Sequence, residues 1–142
     1  MKTLGVSGLL FLLASNMCHA QSNLSVTLVC EGTEKILVRN CPACSTPFIE
    51  ISSSKRKVYS FKNNQLVAMN GSPIESEDSF NCDISEETIR CVKLSQRPGG
   101  SDVLTINRTS GAVSRAKSWL NHNEKSQHIF FNGVCQVGKR QF

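Results

Sequence analysis

The sequence has few of the residues on which many active and binding sites depend. Its 142 residues include one Tyr, one Trp and three His. A surface that stacks nucleobases needs several aromatic side chains, so a nucleic-acid-binding protein is not expected. His122 and His128 lie in the polar segment NHNEKSQH, which is typical of a solvated loop rather than of a zinc site or a catalytic triad. We therefore predict neither a metal ion nor another cofactor.

Motifs with a recognised chemistry are also missing. No Ser lies in a G-x-S-x-G elbow. The stretch LTINRTSGAVS, residues 104–114, has a single Gly and no helix signal after it, unlike a phosphate-binding loop. The acidic residues Glu75, Glu77 and Asp78 follow a Pro and fit an exposed loop better than a calcium site or an acid–base pair. The sequence predicts a protein that is not an enzyme.

A long apolar run is present only near the N-terminus. Lys2 precedes the apolar run Leu4–Ala14, and a short polar stretch that ends in a small residue follows it. This order is typical of a cleaved secretory signal, and the run is too short for a membrane-spanning helix. We predict a signal peptide at residues 1–20, one mature domain at residues 21–142, and a secreted or periplasmic location. Lipidation of Cys18 is the alternative, which the Asn and Met before it disfavour.

The chain that remains after cleavage is mildly basic. Its formal charge of +5 falls to +4, because the leader carries Lys2 and no acidic residue. The cations are scattered apart from the run Lys55–Lys57 and the terminal pair Lys139–Arg140. A run of three is more typical of a solvated hairpin end than of a nucleic-acid site. The expected partner is therefore an unknown protein or envelope component, without nucleic acid and without a membrane span.

Cysteine, in contrast, is plentiful. Six of the seven residues remain once Cys18 leaves with the leader, and an even number in an exported chain predicts a disulfide framework. In the segment CDISEETIRC, a hairpin that turns at Glu86 and Glu87 places Cys82 directly opposite Cys91. Directly opposed residues of two antiparallel strands lie close enough for a disulfide, so we predict the bridge Cys82–Cys91.

The other four cysteines leave more than one interpretation open. Cys30 ends the first predicted strand and Cys135 lies in the last, so the two meet if the sheet closes on itself. Cys41 and Cys44 form a C-P-A-C motif between two predicted strands, where a structural disulfide is the favoured interpretation. A redox centre would need a thiolate at a helix start, and a zinc site would need a second such pair. Both stay open as alternatives.

The rest of the sequence has a strand pattern. Gly, Asn, Ser and Thr recur about every ten residues, and short runs rich in Val, Ile, Leu, Phe and Thr lie between them. We predict a mainly β fold, with a single small antiparallel sheet or barrel-like domain stapled by disulfides. Helical turns stay open at Ser85–Leu94 and Ser114–Asn121. The predicted strands are Ser25–Cys30, Lys35–Val38, Pro47–Ser52, Lys57–Phe61, Gln65–Met69, Ser79–Ile84, Thr88–Leu94, Val103–Asn107, Ala112–Ser118 and Gln127–Val137.

The segment Asn107–Gly111 separates two of these strands and predicts a tight reversal. Gly111 lies where a type I turn followed by a glycine bulge needs a positive φ. The side chains of Asn107, Thr109 and Ser110 can bond to the backbone of such a turn. The segment is therefore predicted to be structural.

Four short motifs follow one another along the chain. They are CEGT at Cys30–Thr33, TIRC at Thr88–Cys91, LTINRTSGAVS at residues 104–114 and FNGVC at Phe131–Cys135. In this order they resemble a loose group of small exported bacterial proteins, which share a leading C-x-G, an INR-x-x-G hairpin and a closing G-x-C. The resemblance implies an exported, β-rich domain and does not imply an activity.

A weaker likeness is to the bacterial membrane-bound inhibitors of c-type lysozyme, which are small β-barrels with a cysteine near each end. Their inhibitory loops pair an S-G motif with tyrosines, whereas Ser110–Gly111 is followed by Ala112 and Val113. The net positive charge of this chain would also repel a basic lysozyme. A lysozyme-inhibitor-like module is therefore an alternative function.

The function that the sequence predicts first is an exported, disulfide-stapled binding domain whose partner is unknown. Loops such as Lys62–Asn64 or Arg97–Asp102 are the expected contact points. A thiol–disulfide redox protein that uses Cys41 and Cys44 is a further alternative.

Overall fold

The computed structural model describes residues 23–39, 48–94, 100–120 and 126–138. The predicted signal peptide and the Cys41–Cys44 motif lie outside these ranges. The strands are β1 (Val26–Arg39), β2 (Phe48–Lys62), β3 (Gln65–Met69), β4 (Ser72–Pro73), β5 (Asn81–Ile84), β6 (Thr88–Leu94), β7 (Ser101–Asn107), β8 (Ala112–Leu120) and β9 (Ser126–Val137). They form one antiparallel sheet with the order β4-β3-β2-β1-β9-β8-β7-β6-β5. The prediction of a mainly β fold is confirmed.

One face of this sheet carries the core. Side chains alternate between the two faces along each strand, and in β7 the buried positions are Asp102, Leu104 and Ile106. The sheet curls over this face into a half-barrel, which brings β3 into contact with β5. Side chains from distant strands therefore meet in one cluster. Its buried members are Cys30, Tyr59, Phe61, Leu66, Phe80, Ile89, Cys91, Leu104, Ile106, Val113, Phe131 and Cys135.

Two disulfides join neighbouring strands: the predicted bridge Cys82–Cys91, and Cys30–Cys135, the pairing expected if the sheet closes on itself. Cys82 lies directly opposite Cys91 in the hairpin of β5 and β6. Cys30 lies directly opposite Cys135 where β1 meets β9. The first bridge closes a short local hairpin, whereas the second joins positions that are 105 residues apart in the chain. The second bridge therefore ties the first long strand to the last.

The predicted reversal between β7 and β8 is also present. Asn107 Oδ1 accepts hydrogen bonds from the backbone N–H of Thr109, over 3.0 Å, and of Ser110, over 2.8 Å. Gly111 has a φ of +74° and donates its N–H to the carbonyl oxygen of Asn107 over 2.9 Å. The polar residues of this segment thus satisfy the backbone of the turn itself.

The sequence predicts two breaks between strands that the structure does not have, so these two predictions are wrong. β1 continues through Glu31–Glu34 because it pairs there with β2 on one side and with β9 on the other. β2 continues through Ser53–Arg56 because each of these residues pairs with β1. The run Lys55–Lys57 therefore lies inside a long strand and not at a hairpin end. Pairing with neighbouring strands outweighs the weak strand propensity of Gly, Ser and Lys at these positions.

The helical alternatives are wrong as well. The described residues of Ser85–Leu94 and Ser114–Asn121 belong to β6, to β8 and to the turn before β6. Both strands pair with β7, which supplies backbone partners that an isolated helical turn would lack. Within the described ranges, helix is limited to one 3₁₀ turn at Ser76–Asp78. No helix in this part of the chain has the length and apolarity needed to cross a membrane.

Candidate functional site

The curled sheet leaves an open cavity on its concave face, beside the buried core. The cavity has a volume of about 570 Å³, which lies in the range of small-molecule sites. Its apolar wall contains Met69, Pro73, Ile74, Phe80 and Trp119. The charged part of its lining contains Glu75, Asp78, Lys93, Asp102, Arg115 and Lys117. We refer to it below as the concave cavity.

The pairing of β7 with β8 explains why charged residues line this cavity. Leu104 lies opposite Arg115 and Asp102 lies opposite Lys117, so these four side chains share one face. Leu104 is fully buried, which fixes this face as the concave one. A shift of one residue in register would turn every one of these side chains to the other face. The apolar residues of β7 therefore determine where the charged residues of β8 lie.

Arg115 and Asp102 form a two-pronged ion pair in the cavity lining. Arg115 Nε donates to Asp102 Oδ1 over 2.8 Å, and Nη2 donates to Oδ2 over 2.6 Å. Both side chains are largely buried. Burial lowers the pKa of the Arg115 guanidinium, but the hydrogen bond and charge of Asp102 more than offset this, and the net shift is upward. The cavity therefore contains a fixed pair of opposite charges.

The hydroxyl of Tyr59 lies near this ion pair inside the curled sheet. Tyr59 is 1% exposed, and its hydroxyl has no hydrogen-bond partner among the described residues. Burial raises the pKa of this hydroxyl, and the positive charge of Arg115 offsets part of the increase. Tyr59 is thus kept neutral at physiological pH.

A second buried ion pair lies on the same face of the sheet. Lys57 Nζ is 2.6 Å from Glu34 Oε2, and it also lies 6.0 Å from the centroid of the Phe131 ring. A buried carboxylate is stable only when it is paired and hydrogen-bonded, so Lys57 compensates Glu34. The third residue of the basic run Lys55–Lys57 therefore has a structural role.

Lys117 and Trp119 lie at the exposed side of the concave cavity. Lys117 Nζ is 5.0 Å from the centroid of the Trp119 ring, which is within the range of a cation–π contact. The neighbouring cation of the lining, Lys93, forms a salt bridge with Asp78. Lys117 forms no salt bridge with any carboxylate of the described residues. It is therefore available to an anionic group in the cavity.

The two loops predicted to contact a partner differ in where they lie relative to the concave cavity. The described part of Arg97–Asp102 brings Asp102 to the concave cavity, whereas Arg97 lies outside the described residues. The turn at Lys62–Asn64 instead holds the start of the domain. Asn64 N–H donates to the carbonyl oxygen of Leu24 over 3.1 Å, and Leu24 N–H donates to Asn64 Oδ1 over 2.6 Å. This turn therefore has a structural role.

The Ser110–Gly111 motif, which carries the likeness to lysozyme inhibitors, also has a structural role. A Cβ on Gly111 would lie 2.6 Å from the carbonyl oxygen of Cys135. The Ser110 hydroxyl bonds to Asn107 Oδ1 over 3.0 Å. The close packing of β9 and the turn chemistry account for both residues without a partner protein.

The sequence analysis did not identify three residues of the cavity lining, Arg115, Lys117 and Trp119, as site residues. They recur at alternate positions of the segment RAKSW, and this alternation is the signal that could have placed them on one face. The segment was compatible with a helix as well, in which the same residues would not share a face. Only the pairing of β8 with β7 and β9 shows that this segment is a strand and not a helix.

No three His, Cys, Asp or Glu side chains of the described ranges lie close enough together to hold a metal ion. The chain matches no family model, and neither a curated protein nor a solved structure is significantly similar to it.

Proposed function

We propose that this chain is an exported, disulfide-stapled binding domain rather than an enzyme, and that the concave cavity is its ligand site. One observation carries the proposal: an apolar wall and Lys117, a cation without a carboxylate partner among the described residues, line the same cavity. The disulfides Cys30–Cys135 and Cys82–Cys91 support export, because such bridges persist in oxidising compartments. The redox alternative depends on Cys41 and Cys44, which lie outside the described residues, and turn chemistry accounts for the Ser110–Gly111 motif on which the lysozyme-inhibitor alternative depends.

The lining indicates the chemical class of the ligand. Trp119, Phe80 and Ile74 offer aromatic and aliphatic contact surface, which suits an apolar body. Lys117 suits an anionic head, since Arg115 and Lys93 are already paired with carboxylates. A small amphipathic anion therefore fits this cavity better than a sugar or a metal ion.

The test uses 1-anilinonaphthalene-8-sulfonate, which combines aromatic rings with one sulfonate. Trp119 is the only Trp in the chain and lines the cavity, so energy transfer from Trp to the probe starts from a single donor at the proposed site. We expect saturable transfer in the folded, oxidised protein. Lys117→Gln should weaken binding about fivefold, the equivalent of about 1 kcal/mol for one partly exposed ion pair.

The matched control is Lys62→Gln, which removes the same charge from a turn that does not line the cavity. It should leave the affinity unchanged. Transfer that does not saturate would contradict the proposal, and so would an equal loss of affinity in the two variants. Transfer that grows only as the protein unfolds would mean that the probe reports exposed core.

A further inference from the structure

One edge of β2 has, in the part of the chain that the structure describes, no neighbouring strand over most of its length. β1 pairs with β2 along the range Phe48–Phe61, whereas β3 pairs with β2 only from Tyr59 to Lys62. Among the described residues, no strand pairs with the outer edge of Glu50–Arg56. Such an edge presents free backbone N–H and C=O groups that can pair with another strand. We refer to this segment as the open edge.

The backbone groups that point outward can be identified from Val58. Its carbonyl oxygen accepts from Asn70 N–H over 2.7 Å, and its N–H donates to Asn70 Oδ1 over 2.9 Å. Both groups of Val58 therefore point away from β1. In an antiparallel ladder every second residue has this orientation, so Glu50, Ser52, Ser54 and Arg56 also point their backbone groups to the outside.

We propose that the open edge pairs with the open edge of a second copy of this chain, antiparallel and centred on Ser53. A two-fold axis at Ser53 places Glu50 opposite Arg56 of the second copy, and Ser52 opposite Ser54 of the second copy. All of these residues have outward-pointing backbone groups, so each pair can exchange two backbone hydrogen bonds. The axis makes the contact self-complementary, as a symmetric dimer requires.

Charge selects this register over its neighbours. An axis at Ser52 would place Glu50 opposite Ser54, and an axis at Ser54 would place it opposite Val58. Only the register centred on Ser53 brings Glu50 and Arg56 together, and it does so twice. Like charges do not oppose each other in this arrangement, although the edge carries three consecutive cations, Lys55–Lys57.

The same register covers two exposed apolar residues on the concave face. Ile49 is 50% exposed and Ile51 is 54% exposed. Ile51 would lie opposite Lys55 of the second copy, and Ile49 opposite Lys57 of the second copy. The aliphatic part of Lys55 can cover Ile51 while its ammonium group stays in water, whereas the ammonium group of Lys57 stays paired with Glu34 and only its aliphatic part can contact Ile49. Pairing of the two edges would therefore remove apolar surface from solvent.

Sedimentation velocity on the mature, oxidised protein tests this proposal. We expect a reversible dimer of the wild-type protein. Glu50→Lys places Lys opposite Arg56 of the second copy, and Arg56→Glu places two Glu side chains opposite each other. Each variant alone should dimerise at least about tenfold more weakly, because like charges then oppose each other twice.

Mixing the two variants gives the sharpest result. In the mixed dimer, the introduced Lys of one chain faces the introduced Glu of the other, and the native Arg56 faces the native Glu50. We therefore expect the mixture to regain the wild-type affinity as a heterodimer. Circular dichroism should find both variants folded, because the salt bridge of Glu50 with Lys35 is exposed and contributes little to stability, and Arg56 is an exposed residue.

Ser54→Pro gives an independent test that does not depend on charge. It removes an N–H that points outward, so the ladder with β1 keeps its hydrogen bonds while pairing with a second copy is blocked. A monomeric wild-type protein at millimolar concentration would overturn the proposal. A dimer that survives Ser54→Pro, or a mixture of the charge variants that stays monomeric, would overturn it as well. None of these residues lines the concave cavity, so the outcome is independent of ligand binding.

Discussion

At the scale of single residues, the hydroxyl of Tyr59 is the buried polar group that the described structure leaves without a partner. A hydroxyl without a hydrogen bond in the interior destabilises the fold relative to an apolar atom of the same shape. The guanidinium of Arg115 lies nearby, and its positive charge offsets part of the rise in the pKa of the hydroxyl that burial causes. The aromatic ring, in contrast, is a large part of the core.

Tyr59→Phe removes the hydroxyl and keeps the ring. We expect the free energy of unfolding at neutral pH to stay the same or to rise by about 1 kcal/mol, because no hydrogen bond is lost. Chemical denaturation of the oxidised protein measures this difference. A loss of about 2 kcal/mol or more would mean that the hydroxyl is hydrogen-bonded in solution.

The same residue predicts a dependence of stability on alkaline pH. The pKa of Tyr59 is raised by burial above its usual value of 10.0, so the folded state holds the proton more tightly than the unfolded state. The contribution to stability is complete below the usual value and is lost as the pH rises through the folded pKa. Tyr59 is the only Tyr in the chain, so tyrosinate absorbance follows it alone. Tyr59→Phe should show a smaller loss of stability above pH 10.

At the scale of elements, the contact between β1 and β9 depends on two opposed glycines. Gly32 lies opposite Gly133, two positions along β1 from the disulfide-bonded pair. A Cβ on Gly32 would lie 2.1 Å from the carbonyl oxygen of Asn132, and a Cβ on Gly133 would lie 2.3 Å from that of Glu31. The two backbones therefore approach each other too closely for any side chain at these positions.

Gly32→Ala should destabilise the protein by about 3 kcal/mol or more, because the backbone of one strand must move. Gly71→Ala is the matched control. Gly71 has a φ of +82° with open space around its missing Cβ, so only backbone strain of about 1 kcal/mol applies. Thermal or chemical unfolding measures both. Equal effects of the two substitutions would contradict the close approach of β1 and β9.

The sequence predicts strand pairings between residues close together in the chain more fully than pairings between distant segments. The β5–β6 and β7–β8 hairpins follow from residues close together in the chain: opposed Cys82 and Cys91 in the first, and Asn107–Gly111 in the second. The continuity of β1 through Gly32 depends on β9, about a hundred residues away, and no local pattern carries it. The role of Lys57 depends likewise on Glu34, a carboxylate of another strand. In the candidate site, local alternation places Arg115, Lys117 and Trp119 on one face only if their segment is a strand, and the pairing of β8 with β7 and β9 is what makes it one.

At the scale of the whole molecule, the two disulfides constrain the unfolded chain very differently. Cys30–Cys135 closes a loop with a sequence separation of 105, whereas Cys82–Cys91 has a separation of 9. In the chain-entropy model, these loops correspond to about 4.7 and about 2.6 kcal/mol. The long-range bridge therefore contributes more to the stability of the curled sheet.

Replacing each pair by two Ala residues tests this difference. Loss of Cys30–Cys135 should lower the free energy of unfolding by about 2 kcal/mol more than loss of Cys82–Cys91. Denaturant unfolding of the two variants, compared with the wild-type protein, measures both values. An equal loss, or a larger loss for the local pair, would mean that native packing and not loop closure dominates.

The claim that the concave cavity binds a small amphipathic anion has one direct test. It is a heteronuclear NMR titration of the mature protein with 1-anilinonaphthalene-8-sulfonate, in which the indole N–H of Trp119 gives a single resolved signal because the chain has no other Trp. We predict saturable shifts of that signal and of the backbone signals of Ile74, Phe80 and Lys117. Shifts confined to other residues, or no saturation while the protein remains folded, would contradict the assignment of this cavity as the binding site.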